Sequence, residues 1–230
     1  MVSPARSLEP VFARKSALGY YPSAMIKSEN RPGPGRPPTI KNPVRTICDA
    51  ASSLIAERGY DATTLQDVAN SVGVTKAGLY HYFPTKQALF ETIVLHTLEE
   101  LYEAASAAIL AQSDHGAKLF AFMIAHATYF SEHGERYRAS FFGLGGEIGN
   151  FTSRQLGARK RYTRLLEALL EAGVREGDFT ISDIPTLARG ILGMLNWMAR
   201  WFRADGHQTA QQIAESYATV LLNGIGTKQA

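Results

Sequence analysis

Between Asn42 and about Ile225 the apolar residues recur at intervals of three and four, the spacing of helices that each bury one face. Asn42 can cap a first helix with Pro43 at its opening position, and Val44, Ile47, Cys48, Ala51, Leu54 and Ile55 form its stripe up to Gly59. Thr64 opens a second helix, with Asp67 three residues on as a capping-box partner and Leu65, Val68, Ala69 and Val72 on its apolar face. Gly73 makes the turn, Thr75 caps a short third helix to about Phe83, and Pro84 stops it. Thr85 caps a long fourth helix bearing Leu89, Phe90, Ile93, Val94, Leu98, Leu101 and Tyr102. Further on, the same period predicts helices near 115–132, 134–144, 147–176, 183–204 and 209–224. Asp183 and Thr209 are their readable caps, and Gln212 completes a box with Thr209. Strand alternation and hairpin turns are absent, so the predicted fold class is all-α.

The first 42 residues break this pattern. Pro4, Pro10, Pro22, Pro32, Pro34, Pro37 and Pro38 punctuate a stretch without apolar periodicity, which predicts a disordered or extended arm. Met25 offers an alternative translation start within it. Charge changes the picture here. The whole chain carries only +3, but residues 1–45 carry +6, residues 46–94 carry −2 and the remainder −1. A basic arm ahead of a near-neutral body is the distribution expected of a tail that meets a polyanion. The lone Cys48 excludes an intramolecular disulfide and cysteine-pair zinc sites. No apolar run approaches the roughly 18 residues of a membrane span, and no signal-peptide segment is visible, so a cytoplasmic location is expected.

Residues 64–83, TLQDVANSVGVTKAGLYHYF, read as two short helices around a glycine turn. In a helix-turn-helix the second helix enters the major groove while the first braces it. Ala69 is small where the helices must approach, and Val72, Val74 and Leu79 supply the contacts between them. Lys76, Tyr80, His81 and Lys86 put donors on or beside the outer face, while Ala77 and Gly78 keep it low. From Val44 to Val94 the sequence resembles the DNA-binding domain of the TetR/AcrR family of regulators, through AERGYDATTLQDVA and VGVTKAGLYHYFPTKQALF. The resemblance implies phosphate contacts by Thr64 and Lys86. It implies base or adjoining backbone contacts by Thr75, Lys76, Ala77 and Gly78, and phosphate or base-edge contacts by Tyr80 and His81. Leu79, Phe83, Phe90 and Tyr60 read as core, and Tyr82 fits either packing or a phosphate contact. Arg36, in a Gly-Arg-Pro unit of the arm, is suited to a narrow minor groove, with Arg31 as a second candidate.

The chain thus divides into a basic arm over 1–42, a helix-turn-helix domain over 43–94, and a helical ligand-binding and dimerisation domain over 95–230. In the last, His115, His126 and His133 lack metal-ligand spacing, no nucleophile elbow appears, and Gly143–Gly146 read as a helix break. Neither an enzyme nor a bound cofactor or metal is expected. Leu195–Arg203 carries both tryptophans, Trp197 and Trp201, beside Arg200 and Arg203. With the residues that follow, it resembles the C-terminal helices of the family branch that responds to acyl-CoA thioesters in lipid or sterol breakdown. That resemblance implies arginines pairing CoA phosphates and an aromatic-lined acyl tunnel. The candidate ligand-binding residues are Phe122, His126, Phe130, Phe141, Trp197, Arg200 and Trp201, with Tyr129 and Phe142 as aromatic neighbours. Ile184, Leu187, Ile191, Met194 and Met198, with Ile213, Tyr217, Val220 and Leu221, form broad faces for a two-fold dimer. The expected function is a ligand-responsive repressor, binding a palindromic operator as a homodimer and released by a small hydrophobic or acyl-CoA-like effector. The alternative is a constitutive DNA-binding protein whose C-terminal helices hold a protein partner.

Overall fold

The computed structural model describes residues 42–142 and 151–225, and among them every regular element is an α-helix. In chain order these are α1 Pro43–Arg58, α2 Leu65–Val72, α3 Lys76–Tyr82, α4 Lys86–Leu110, α5 His115–Glu132, α6 Gly134–Phe142, α7 Ser153–Glu176, α8 Ile184–Trp201 and α9 Ala210–Ile225. Their starts are set by short polar side chains that satisfy otherwise orphaned N–H groups. Asn42 Oδ1 accepts from Arg45 N, Thr75 from Gly78 N, Thr85 from Ala88 N, Asp114 from Ala117 N and Asp183 from Thr186 N. Reciprocal boxes join Thr64 to Asp67, Thr152 to Gln155, and Thr209 to Gln212. Gly73 and Gly177 end α2 and α7 in the left-handed conformation, which glycine adopts without a Cβ penalty.

Two boundaries differ from the sequence expectation. The seventh helix begins at Ser153 rather than near 147, because Thr152 and Gln155 form a capping box there. The eighth ends at Trp201 rather than 204. Phe202 turns to extended backbone and lays its ring edge-on against Phe130, 5.4 Å between centroids. The glycines 143–146, expected to break a helix, lie outside the described residues.

Two apolar cores organise the helices. Ile47, Ile55, Val68, Leu79, Phe83 and Phe90 sit in the first, built by α1 to α3 and the beginning of α4. The second holds Leu119, Phe122, Phe130, Leu166, Ile191 and Ala214 from α5 to α9. α4 belongs to both, giving Leu89, Ile93 and Leu98 to the first and Leu101, Ala105 and Ile109 to the second. α6 is likewise shared: Ala139 lies in the first core, Tyr137 in the second, and Phe141 packs against both. Polar contacts fix α6 in place. Arg136 pairs with Glu100 of α4 at 3.0 Å, and Ser53 of α1 donates a short hydrogen bond to Glu135. Glu100 also accepts from Tyr129 Oη at 2.9 Å. Cys48 is buried in the first core, and burial pushes its thiol up to about 12, so it acts as a packing residue.

Candidate DNA interface and effector core

The recognition helix is positioned from below. Leu79 is the fully buried residue of α3, and its side chain fixes the helix on the first core. Thr75, Lys76, Ala77, Tyr80 and His81 consequently face outward, Tyr80 with 42% of its surface exposed. Gly78 is half-buried, and a Cβ there would come within 3.2 Å of Thr75 Oγ1. Thr75 Oγ1 accepts from Gly78 N, which leaves its O–H free to donate. Lys76 Nζ lies 5.8 Å from the Tyr80 ring, close enough to share one surface with it.

Two expected phosphate contacts are differently placed. The Thr64 hydroxyl donates to Asp67 Oδ2 at 2.6 Å and accepts from Asp67 N, and Thr64 N also donates to that carboxylate. These bonds hold the Asp67 carboxyl below the usual carboxylate range. Thr64 must exchange a bond with Asp67 before it can donate to a phosphate. Lys86 is half-buried, donating to the carbonyls of Tyr60 at 2.9 Å and Asp61 at 3.3 Å, with its ammonium 4.2 Å from the Tyr60 ring. It braces the loop after α1, and this role was not legible in the sequence. The Phe90 ring is buried in the first core and the half-buried Tyr60 ring packs against it, tilted by 57° with centroids 4.9 Å apart, and Arg36 lies outside the described residues.

The seven candidate ligand residues separate into two groups. Phe122, His126 and Phe130 are fully buried in the second core, with Phe141 half-buried at its edge. Trp197, Arg200 and Trp201 face outward on α8, the tryptophans 60% and 46% exposed. Arg200 stands over the rings of Phe142 and Trp197, at a cleft of about 310 Å³ between α1, α6 and α8 that Arg138 also lines. The described residues therefore do not bring all seven around one cavity.

The inner group includes a hydrogen-bonded chain. Tyr137 Oη donates to Asn196 Oδ1 at 2.6 Å, so its oxygen accepts from His126 Nε2 at 2.7 Å. With His126 kept neutral by burial and its proton on Nε2, Nδ1 accepts from Tyr162 Oη at 2.9 Å. Burial pushes His126 down to about 3 and is the main cause that raises both tyrosines well above their ordinary value, so all three stay uncharged. Tyr137, Tyr162 and Asn196 were missed in the sequence. A tyrosine in register with Leu165, Leu166 and Leu169 reads as packing, and only the distance to His126 shows its hydroxyl at work.

The arrangement is that of an all-α regulator: an exposed recognition helix on a small core, joined by shared helices to a larger core holding a polar centre. Residues 47–93 match the family described as bacterial regulatory proteins, tetR family, and residues 112–225 match the Tetracyclin repressor-like C-terminal domain. The chain is 31% identical over 193 residues to the HTH-type transcriptional repressor KstR2 of Rhodococcus jostii, covering 79% of this chain and 90% of that protein. Among solved structures, the TetR family transcriptional regulator PfmR from Thermus thermophilus aligns with a TM-score of 0.71 and 35% identity, covering 80% of this chain and 99% of that one. AibR, solved with isovaleryl coenzyme A and operator DNA, aligns with a TM-score of 0.70 and 25% identity over 77% of this chain and 96% of that one. The chain belongs to the TetR family of transcriptional regulators and is a DNA-binding helix-turn-helix protein. No helix among the described residues is long and apolar enough to cross a membrane.

Proposed function

We propose that this chain is a cytoplasmic, homodimeric repressor that reads a palindromic operator and leaves it when a small hydrophobic or acyl-CoA-like effector occupies the second core. The observation that carries the DNA half is the recognition helix itself, with Leu79 anchored and Thr75, Lys76, Tyr80 and His81 outward. Thr75, Lys76 and His81 have free donors for phosphates and base edges, Ala77 and Gly78 allow close approach, and Arg36 adds a minor-groove contact from the arm. Thr64 and Lys86 support the motif from within and make secondary phosphate contacts. The effector half is supported by a polar chain centred on His126 inside an otherwise apolar core, and by AibR, a relative in fold solved with an acyl-CoA and its operator. Phe122, Phe130 and Phe141 would line the acyl part, and Trp197, Arg200 and Trp201 the outer, charged part.

Dimerisation is supported by the outward faces of α8 and α9. The sequence reading placed Ile191, Met198 and Ile213 in the dimer face, but these are buried in the subunit's own core. The exposed strip is instead Gly190, Gly193, Trp197 and Trp201 of α8 and Val220 of α9, Val220 being 73% exposed. Gly190 and Gly193 face open space inside a helix, where each costs about 1 kcal/mol relative to alanine. A closely packed partner helix is a physical reason to keep them.

Fluorescence anisotropy on the DNA beside the chain's own gene tests the reading. A dimer neutralising on the order of 6–10 phosphates should lose roughly a thousandfold in affinity between 50 and 200 mM salt. Lys76→Ala should alter preference among sequences, and an acyl-CoA panel should contain a compound that weakens binding. A flat salt response would overturn the DNA half.

A further inference from the structure

Arg159 of α7 is a half-buried cation with no carboxylate partner among the described residues. Its guanidinium lies between two rings, 4.7 Å from the centroid of Phe141 and 4.3 Å from that of Phe151. One Nη donates to the Ser140 carbonyl at 2.7 Å. Nε is buried with no hydrogen-bond partner among the described residues. Of the α4 carboxylates, Glu91 pairs with Arg154, Glu99 with Arg161 and Glu100 with Arg136, while Glu103 is exposed. Burial pushes Arg159 down to about 10, which still leaves it charged near neutral pH. A buried donor without an acceptor, on a charged group, is unfavourable unless a partner arrives. Cation–π contact with the two rings offsets part of that penalty. The donor left without an acceptor is Nε, on the edge with which arginine grips oxyanions.

The position of this edge is equally specific. Phe141 packs against both cores, and Phe151 packs against the first. On its other side Phe141 stacks on Tyr137, 4.3 Å between centroids at an interplanar angle of 17°, and Tyr137 bonds to His126. Arg159 thus lies where the DNA-binding core meets the polar centre of the effector core. We propose that Arg159 is the anion receptor of this regulator, its Nε edge taking a carboxylate or phosphate oxygen of the effector. The effector class is then an amphipathic acid anion rather than a neutral compound. This rests on the reading of the chain as effector-responsive.

The test uses the full chain, its operator, and four probes: octanoate, the neutral octanamide, isovaleryl-CoA and free coenzyme A. Calorimetry gives affinities, and anisotropy gives operator release. The wild type should bind an anionic probe at least tenfold more tightly than octanamide, and that probe should release DNA. Arg159→Gln should erase the preference and Arg159→Lys should keep part of it, with both variants folded and holding operator like wild type. Binding of octanoate alone assigns the carboxylate source, and binding of both coenzyme A probes assigns the phosphate source. Equal anion affinity in wild type and Arg159→Gln, or release by octanamide as strong as by the anions, overturns the receptor and leaves effector control standing. Failure of all four probes to bind also overturns it. If a wide neutral screen then leaves operator affinity unchanged as well, effector control falls with it.

Discussion

Full burial keeps His126 neutral, and this gives a measurable pH dependence. Its pKa falls from the ordinary 6.5 to about 3 on folding, so below pH 6.5 the unfolded chain binds a proton that the folded chain refuses. The contribution is complete above 6.5 and declines by about 1.4 kcal/mol per pH unit below it. Urea titrations at pH 7 and pH 5 should show a smaller loss for His126→Gln than for wild type, by about one proton's worth. At pH 7 the same variant should be less stable by about 1–3 kcal/mol, because a tyrosine hydroxyl loses its partner. His96, also lowered by burial, is present in both proteins and cancels in the difference. An equal pH slope in the two proteins would show that His126 charges in the folded state. The residue types of the candidate sites were legible in the sequence, but their commitments were not. Thr64 and Lys86 have the donors a phosphate needs, yet Asp67 and the carbonyls of Tyr60 and Asp61 already hold them.

At the level of the element, most helix starts were readable because each depends on two residues three apart, although the Thr152–Gln155 pair that opens α7 was passed over. Thr64 with Asp67, Thr209 with Gln212, and Asp183 all cap where the pattern placed them. Ends are set by packing at a distance, as at Phe202, and so were read less well. α7 shows what its two glycines decide. A Cβ on Gly173 would lie 2.3 Å from Phe179 Cδ2, because the chain after Gly177 folds the Phe179 ring onto the last turn of the helix. Gly173→Ala must displace that ring and should cost about 1–3 kcal/mol. Gly157, on the same helix, faces open space. Its replacement by alanine should add about 0.5–1 kcal/mol through helix propensity. Differential scanning fluorimetry of the two variants should therefore give melting shifts of opposite sign. Two decreases would mean that Gly157 meets a partner.

At the scale of the whole molecule, regulation needs a path from the second core to the recognition helix and on to the other half-site. α4 and α6 supply the first part, since each contributes side chains to both cores. The second part depends on the dimer, because two recognition helices meet successive major grooves only when about 34–36 Å apart. An effector changes that distance only if it binds one dimer geometry more tightly than the other. Here the sequence was ambiguous for a physical reason. An apolar stripe says that a helix face is covered, without saying whether its own subunit or another copy covers it, and Ile191 and Val220 fall on opposite sides of that distinction. The distinction predicts different failures. Val220→Glu places a charge on the exposed strip of α9, so the subunit should stay folded by circular dichroism while light scattering shows monomers. Operator affinity should fall at least a hundredfold, since one domain makes on the order of half the phosphate contacts. Ile191→Glu instead buries a charge without a partner in the subunit's own core, and should lose the fold itself. A Val220→Glu protein that remains dimeric at micromolar concentration would move the interface away from α9.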